Sequence, residues 1–189
     1  DSLPTDADVT DAIAAQDQLI VITNDGAAWS KNAAGQWLRN EVGNKNLYLT
    51  QIHFSKASEK FFVVTSSGEI YLSDDRSKHW ALVYSGSEPI NRLEYFDQLD
   101  VWVAAADQGV LVISADGGNT WKRQRLHSQI SFEAVSLQGD CLMAVGGGGA
   151  MAISWDQGQS WKLVKDPMPQ VIQSLNSVKL NSEIYAVGS

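Results

Sequence analysis

A short motif recurs four times along the chain at nearly constant intervals. Each copy has the form Ser-x-(Asp/Asn)-x-x-x-x-Trp, and successive serines are 43, 41 and 40 residues apart. The four copies are Ser30, Asn32 and Trp37; Ser73, Asp75 and Trp80; Ser114, Asp116 and Trp121; and Ser154, Asp156 and Trp161. A repeat period of this length indicates a chain built from similar structural units that stack on one another.

The residues between the motifs also align, as strand-like runs. A first run alternates apolar and polar residues, and a second is almost continuously apolar, as in strands buried on both faces. The first runs are Val9 to Ile13, Leu49 to Phe54, Ile90 to Phe96 and Phe132 to Leu137, and the second are Leu19 to Thr23, Phe61 to Thr65, Val101 to Ala106 and Leu142 to Val145. A glycine after each second run predicts a tight reversal with positive φ into a third strand, and a fourth strand starts at the tryptophan.

Four antiparallel strands per repeat predict an all-β chain that forms a β-propeller of four-stranded blades. We expect one propeller domain over residues 1–189, with blades at 9–41, 48–84, 90–125 and 131–165 and an incomplete fifth blade at 171–189. These amount to about four and a half blades, so the terminal blades would expose apolar faces that favour self-association. A piece of a longer propeller, an irregularly closed ring and two mutually completing copies all remain open.

The recurring motif resembles the Asp-box, also called the BNR or bacterial neuraminidase repeat, with one copy per predicted blade. The segment from Ala104 to Trp121 is most similar to photosystem-II assembly and stability factors and their bacterial relatives. This resemblance implies a propeller outside the cytoplasm that binds protein, by helping a membrane complex to assemble or by holding a precursor polypeptide.

We expect the motif residues to be structural. The Asp or Asn side chain accepts hydrogen bonds from its own turn, the serine hydroxyl adds another, and Gly118 and Gly158 relieve left-handed positions. The tryptophans would pack between blades. Calcium binding or acid catalysis by Asp75, Asp116 and Asp156 is the alternative, but boxes on separate blades do not converge. We therefore predict no metal, no cofactor and no catalytic residue.

Binding residues are expected on the first strand of each blade, which lines the channel of a propeller. Aligning these strands gives one polar column, and two further polar residues lie two positions on. The column is Asp11, Gln51, Arg92, Glu133 and Gln173, and the additional residues are His53 and Glu94. The alternative is a solvated wall that binds nothing.

Composition excludes several functional classes. The formal net charge of −8 and pI of about 4.7 argue against a nucleic-acid partner, and no apolar run approaches the length of a spanning helix. The single cysteine, Cys141, lies in an apolar run and cannot form an internal disulfide. The chain begins at Asp1, so we expect that an upstream piece was removed, either as a signal or in choosing the expressed fragment.

The competing function is a carbohydrate-active propeller, either a glycoside hydrolase or a lectin-like module. Of the five arginines, Arg76 lies inside a motif and Arg123 and Arg125 lie just past a motif tryptophan on the outer strand, so a sialidase-type clamp of three convergent arginines cannot be assembled. The acidic balance also departs from what a basic binding patch would require, with Arg92, Arg123 and Arg125 as its clustered candidates. A pair of carboxylates among Asp11, Glu94 and Glu133 would suffice for another glycosidase. Exposed aromatic residues such as Trp102, Tyr48 or Tyr95 would mark a sugar site.

Overall fold

The computed structural model describes residues 3–32, 34–43 and 47–164 and the short strands at 178–180 and 183–185. The described chain is built of β-strands, with one short 3-10 turn at Gly147–Gly149. It divides into two compact units, residues 1–87 and residues 88–189, each with its own sheets and core.

The first unit contains two four-stranded antiparallel sheets. Sheet 1 has the strand order β1-β2-β3-β4 and sheet 2 the order β5-β6-β7-β8. The strands are β1 (Val9–Ala15), β2 (Gln18–Thr23), β3 (Ala27–Lys31), β4 (Trp37–Glu41), β5 (Leu49–Ser55), β6 (Lys60–Thr65), β7 (Glu69–Ser73) and β8 (Ala81–Ser85). The apolar face of sheet 1, with Ile20 and Ile22, forms one buried cluster with Ile52, Phe61 and Val63 of sheet 2.

The second unit repeats this arrangement. Sheet 3 runs β9-β10-β11-β12 and sheet 4 runs β13-β14-β15-β16, and a two-stranded pair follows. The strands are β9 (Ile90–Phe96), β10 (Val101–Ala106), β11 (Val110–Ser114), β12 (Lys122–Arg125), β13 (Phe132–Gln138), β14 (Cys141–Gly146), β15 (Met151–Ser154), β16 (Lys162–Leu163), β17 (Val178–Leu180) and β18 (Glu183–Tyr185). Val103 and Leu111 of sheet 3 share a buried cluster with Phe132, Leu142 and Ala144 of sheet 4.

The position of each strand in its sheet explains its composition. All six residues of β10 are buried, because apolar side chains on both faces of an inner strand meet packed neighbours. The outer strand β12 reads Lys-Arg-Gln-Arg and is largely exposed. The predicted left-handed glycines after the second strands are also found. Gly109 has φ +66°, and a Cβ there would lie 1.6 Å from the carbonyl oxygen of His127.

The prediction of an all-β chain with four-stranded antiparallel sheets is confirmed. The fourth strand begins at the tryptophan in sheet 1 and one residue after it in the other sheets. Of the predicted fifth blade, residues 171–177, 181–182 and 186–189 lie outside the described residues.

Cys141 is buried and free, and burial raises the pKa of its thiol. The described residues contain no helix long and apolar enough to cross a membrane.

Candidate functional site

The acidic residues of the Ser-to-Trp motifs are held inside their own turns. In the second, third and fourth turns the serine hydroxyl donates to the carboxylate, and the carboxylate also accepts a backbone N–H from four residues further on. The hydroxyl distances are 2.9 Å for Ser73 to Asp75, 2.8 Å for Ser114 to Asp116 and 2.8 Å for Ser154 to Asp156, and the backbone distances from His79, Thr120 and Ser160 are each 2.9 Å. These turns are therefore stabilised by local hydrogen bonds.

These hydrogen bonds keep the carboxyl groups ionised. Hydrogen bonds from the side chain and backbone of Ser160 and from the hydroxyl of Ser154 lower the pKa of Asp156 to about 2. Burial opposes the shift at Asp75, but hydrogen bonds from His79 and Ser73 still lower its pKa to about 2. Since each group is a bound carboxylate at neutral pH, neither is suited to act as a general acid.

The first turn is also held by a side-chain oxygen that accepts backbone N–H groups, but this oxygen belongs to an amide. The side-chain oxygen of Asn32 accepts backbone hydrogen bonds from Ala34 at 3.0 Å and Gln36 at 2.9 Å, while Ser30 is buried on β3. Its left-handed glycine, Gly35, comes three residues after Asn32, whereas Gly118 and Gly158 come two residues after their aspartates. The left-handed glycine of the first turn therefore comes one residue later than in the third and fourth turns.

The tryptophans of the four motifs are half-buried and have different neighbours. Trp80 packs against the cluster shared by sheets 1 and 2, and Trp161 packs against the cluster shared by sheets 3 and 4. Trp37 packs on the other face of sheet 1, where the Lys31 ammonium lies 5.0 Å from its ring centre. Trp121 donates from Nε1 to the carbonyl of Gly118 at 3.1 Å.

The residues of the first unit that were predicted to line a channel form hydrogen bonds to its backbone and to each other. Asp11 accepts the backbone N–H of Ile52 at 3.0 Å and that of Ala12 at 2.8 Å, so its carboxylate joins β1 to β5. The structure also brings Gln51 and His53 together, with Oε1 and Nε2 3.4 Å apart. A shared channel lining stays a prediction.

In the second unit, the Nε of Arg92 lies 2.6 Å from a carboxylate oxygen of Glu94, so these two candidates form an ion pair. Glu133 is different. Burial and the nearby charge of Asp107 both raise the pKa of its carboxyl group. Gln173 lies outside the described residues.

Glu133 lines a cleft of about 680 Å³ in the second unit. The cleft lies where the 126–131 segment meets the glycine turn after β14. Its lining combines polar groups of His127, Ser131 and Glu133 with apolar ones such as Ile130 and Met151. A mixed lining of this kind suits a ligand that presents both polar and apolar groups.

Sequence reasoning missed the groups that organise this end of the second unit. The side-chain amide of Asn91 donates to Asp107 and to the carbonyl of Phe132, both at 2.9 Å, and so connects β9 to β13. Asn91 is adjacent to the predicted Arg92, and Asp107 directly follows the buried run of β10. In the sequence, the polar residue at each of these strand ends is the feature that could have indicated this connection.

The three clustered arginines of the second unit are all ion-paired. Glu88 is 3% exposed in its side chain, and Arg123 and Arg125 both donate to it, at 2.6 and 2.5 Å. Arg92 is paired with Glu94. Each of the three clustered arginines therefore has a carboxylate partner within the second unit.

One aromatic candidate for a sugar site is also corrected. Trp102 is fully buried, since it lies on the inner strand β10. Tyr95 stacks on it with ring centres 4.8 Å apart and donates to Asp100, and Tyr48 is 50% exposed. Among the described residues, no cluster of His, Cys, Asp or Glu side chains fits a metal ion.

Comparison with known proteins gives matches among solved structures and none among family models or curated sequences. No protein-family model matches the chain, and no curated protein sequence matches it. A solved structure of YCF48 bound to D1 peptide matches with a TM-score of 0.58 and 19% sequence identity, over 83% of this chain and 54% of that one. The chain thus spans about half the length of that structure. This likeness and the successive four-stranded sheets establish the fold of the chain as a β-propeller.

Proposed function

We propose that the chain is a non-catalytic propeller of the Asp-box type that binds polypeptide and serves the assembly of a membrane-associated complex outside the cytoplasm. The observation that carries the proposal is the similarity in fold to a propeller that holds a peptide. The assembly role and the compartment rest on the resemblance of the 104–121 segment to assembly factors.

The chemistry of the described residues supports binding rather than turnover. The carboxylates of Asp75, Asp116 and Asp156 accept hydrogen bonds within their own turns. Those of Asp11 and Glu94 are held by a backbone N–H and by an arginine. A catalytic acid or base must instead present its carboxyl group to a substrate.

The cleft beside Glu133 is the proposed peptide site of the second unit. Its polar residues, His127, Ser131 and Glu133, offer hydrogen bonds to a peptide backbone, and Ile130 and Met151 offer apolar contact to side chains. Peptides combine these two kinds of group at short intervals, which matches the mixed lining.

A peptide array tests this function. An array of 15-residue segments from the extramembrane parts of membrane proteins is probed with the labelled chain, and binding to a subset of segments is expected. Glu133→Gln should weaken the strongest signals about tenfold, as expected for the loss of a hydrogen bond to a charged group. Asp140→Asn is the matched control, because it makes the same carboxyl-to-amide change in the turn between β13 and β14, at the opposite end of sheet 4. Absence of any segment-selective binding would contradict the function.

One observation favours the carbohydrate-active alternative. Burial and Asp107 raise the pKa of Glu133, and a raised pKa on one of two neighbouring carboxyl groups is the pattern of a glycosidase acid. A panel of nitrophenyl glycosides separates the two functions. We expect no release of nitrophenol, whereas turnover that Glu133→Gln abolishes would establish the hydrolase.

A further inference from the structure

A second cleft, of about 400 Å³, lies within the first unit between sheets 1 and 2. It is bounded by the turn between β1 and β2, by β3 and β4, and by the turn between β7 and β8. Three cations line it, Lys31, Arg76 and Lys78, together with the amide of Gln18 and the apolar side chain of Leu38. This cationic lining contrasts with the net charge of −8 of the whole chain.

The cations of this cleft have no carboxylate partner in the described part of the chain. The other four arginines all form ion pairs there: Arg39 with Asp25 and Glu41, Arg92 with Glu94, and Arg123 and Arg125 with Glu88. Asp17 also lines the cleft but pairs with none of its cations. Arg76 is thus the exception among the arginines, and its charge is available to a ligand.

The backbone at Arg76 determines which substitution tests its side chain. Arg76 has φ +62°, in the left-handed region that favours glycine. The corresponding residue of the third turn is Gly117, with φ +69°. In the fourth turn the same position is Gln157, with φ +59°, so this left-handed position accepts a side chain, and glycine can replace Arg76 without a change of backbone.

The amide of Gln18 identifies a further requirement of the ligand. Its side-chain oxygen is buried and accepts no hydrogen bond from any described residue. A buried acceptor of this kind is stabilised when a donor reaches it. A ligand with carboxylates for the cations and an N–H for Gln18 would satisfy both, and an acidic peptide has these groups in one short segment. Inorganic phosphate keeps an O–H donor at neutral pH, but it is one compact anion, whereas a peptide segment presents several carboxylates along its length.

We propose that this cleft binds an acidic segment of a polypeptide partner, with carboxylates on Lys31, Arg76 and Lys78 and a backbone N–H on the oxygen of Gln18. The inference rests on the proposed function of peptide binding and assigns a site and a partner chemistry to it. The site is separate from the cleft beside Glu133 and belongs to the first unit.

The probe is a hexapeptide of alternating Glu and Ala with fluorescein on its N-terminal amine and an amidated C-terminus, and its counterpart has Gln in place of Glu. Fluorescence anisotropy should show the acidic peptide binding at least about tenfold more tightly. Its binding should weaken as salt is raised, because the contacts are partly exposed charges. Inorganic phosphate alone should displace it poorly.

Arg76→Gly is the informative variant. It should weaken binding of the acidic peptide about tenfold, and the thermal midpoint should stay the same or rise, because glycine suits the φ of this position. Lys78→Gln tests a second cation of the site. Lys162→Gln, which removes one exposed cation from the second unit, is the control and should bind as the unmodified chain does.

Several outcomes overturn the inference. They are equal binding of the two peptides, unchanged binding by Arg76→Gly, displacement by phosphate as readily as by peptide, or binding of a sulfated glycan in place of the acidic peptide. If one of these outcomes occurs while the array still shows segment binding that depends on Glu133, the inference about the cationic cleft fails and the proposed function stands. The inference fails together with the proposed function if no peptide binds.

Discussion

The second and fourth Ser-to-Trp turns share a hydrogen-bonded centre. The hydroxyl of Ser73 lies 2.9 Å from the Asp75 carboxylate, and that of Ser154 lies 2.8 Å from Asp156. In both turns the serine oxygen also accepts the backbone N–H of the residue four positions on, at 3.0 and 2.9 Å. The serine and the carboxylate thus make the same bonds in both places.

The two turns differ in the residues that take the left-handed backbone. The second uses Arg76 and Ser77, with φ of +62° and +65°, and the fourth uses Gln157 and Gly158, with φ of +59° and +83°. The comparison teaches that the serine and the carboxylate define the turn, while glycine only lowers its energetic cost. This is why the glycine of the motif is lost in the second copy although the turn is kept.

The largest expected effect comes from making the fourth turn like the second with Gly158→Ser. The Cβ of the new side chain would lie 3.2 Å from Cγ2 of Ile113, at a buried position with φ +83°. It would also bury a hydroxyl without a partner. We expect a loss of about 2–3 kcal/mol in the free energy of unfolding, measured in urea.

Gln157→Ser is the control for Gly158→Ser. It places serine at the neighbouring exposed residue, which already has a left-handed backbone, and should change stability by less than about 0.5 kcal/mol. Equal losses from the two variants would show that glycine is not the feature that distinguishes the turns.

The reverse exchange, Ser77→Gly, should stabilise the second turn. Ser77 is fully buried, its hydroxyl has no described partner, and its backbone is left-handed. Glycine removes both penalties at some cost in chain entropy, so we expect a gain of about 1 kcal/mol by the same urea measurement. Ser77→Ala removes the hydroxyl but keeps a Cβ at this position, so its free energy of unfolding should lie between those of the unmodified chain and Ser77→Gly. A loss of stability in Ser77→Gly would mean that the hydroxyl has a stabilising partner.

The fold could be predicted from the sequence because its determinants are local and repeated. Each motif and the apolar run of β10 involve residues only a few positions apart, and the motifs recur every 40 to 43 residues, so the sheets follow a pattern visible in the sequence. The same locality explains the turns, since each of Asp116 and Asp156 bonds to residues within four positions.

The candidate site was harder to predict because its contacts join distant residues. Glu88 pairs with Arg123 across 35 positions, and Asn91 reaches the carbonyl of Phe132 across 41. Neither pairing follows from periodicity. The burial of Trp102 has a different origin, because it follows from the place of this residue on the inner strand β10 and not from its aromatic ring.

The smallest expected effect is the acid sensitivity of the turns, and it separates the aspartate turns from the first turn, which uses Asn32. Hydrogen bonds from Ser160 and Ser154 lower the pKa of Asp156 from its ordinary 3.8 to about 2. A lowered pKa in the folded chain means that the carboxylate stabilises the fold above pH 3.8 and that this contribution is lost as the pH falls towards 2. Asp156→Asn should therefore flatten the fall of the urea midpoint between pH 5 and about 2. Asp156 is the better choice than Asp75, because the Asp75 carboxylate also contacts the imidazole of His79 and so does not report on the turn alone. Parallel midpoint curves for the variant and the unmodified chain would show that the turn binds the protonated and ionised carboxyl groups equally well.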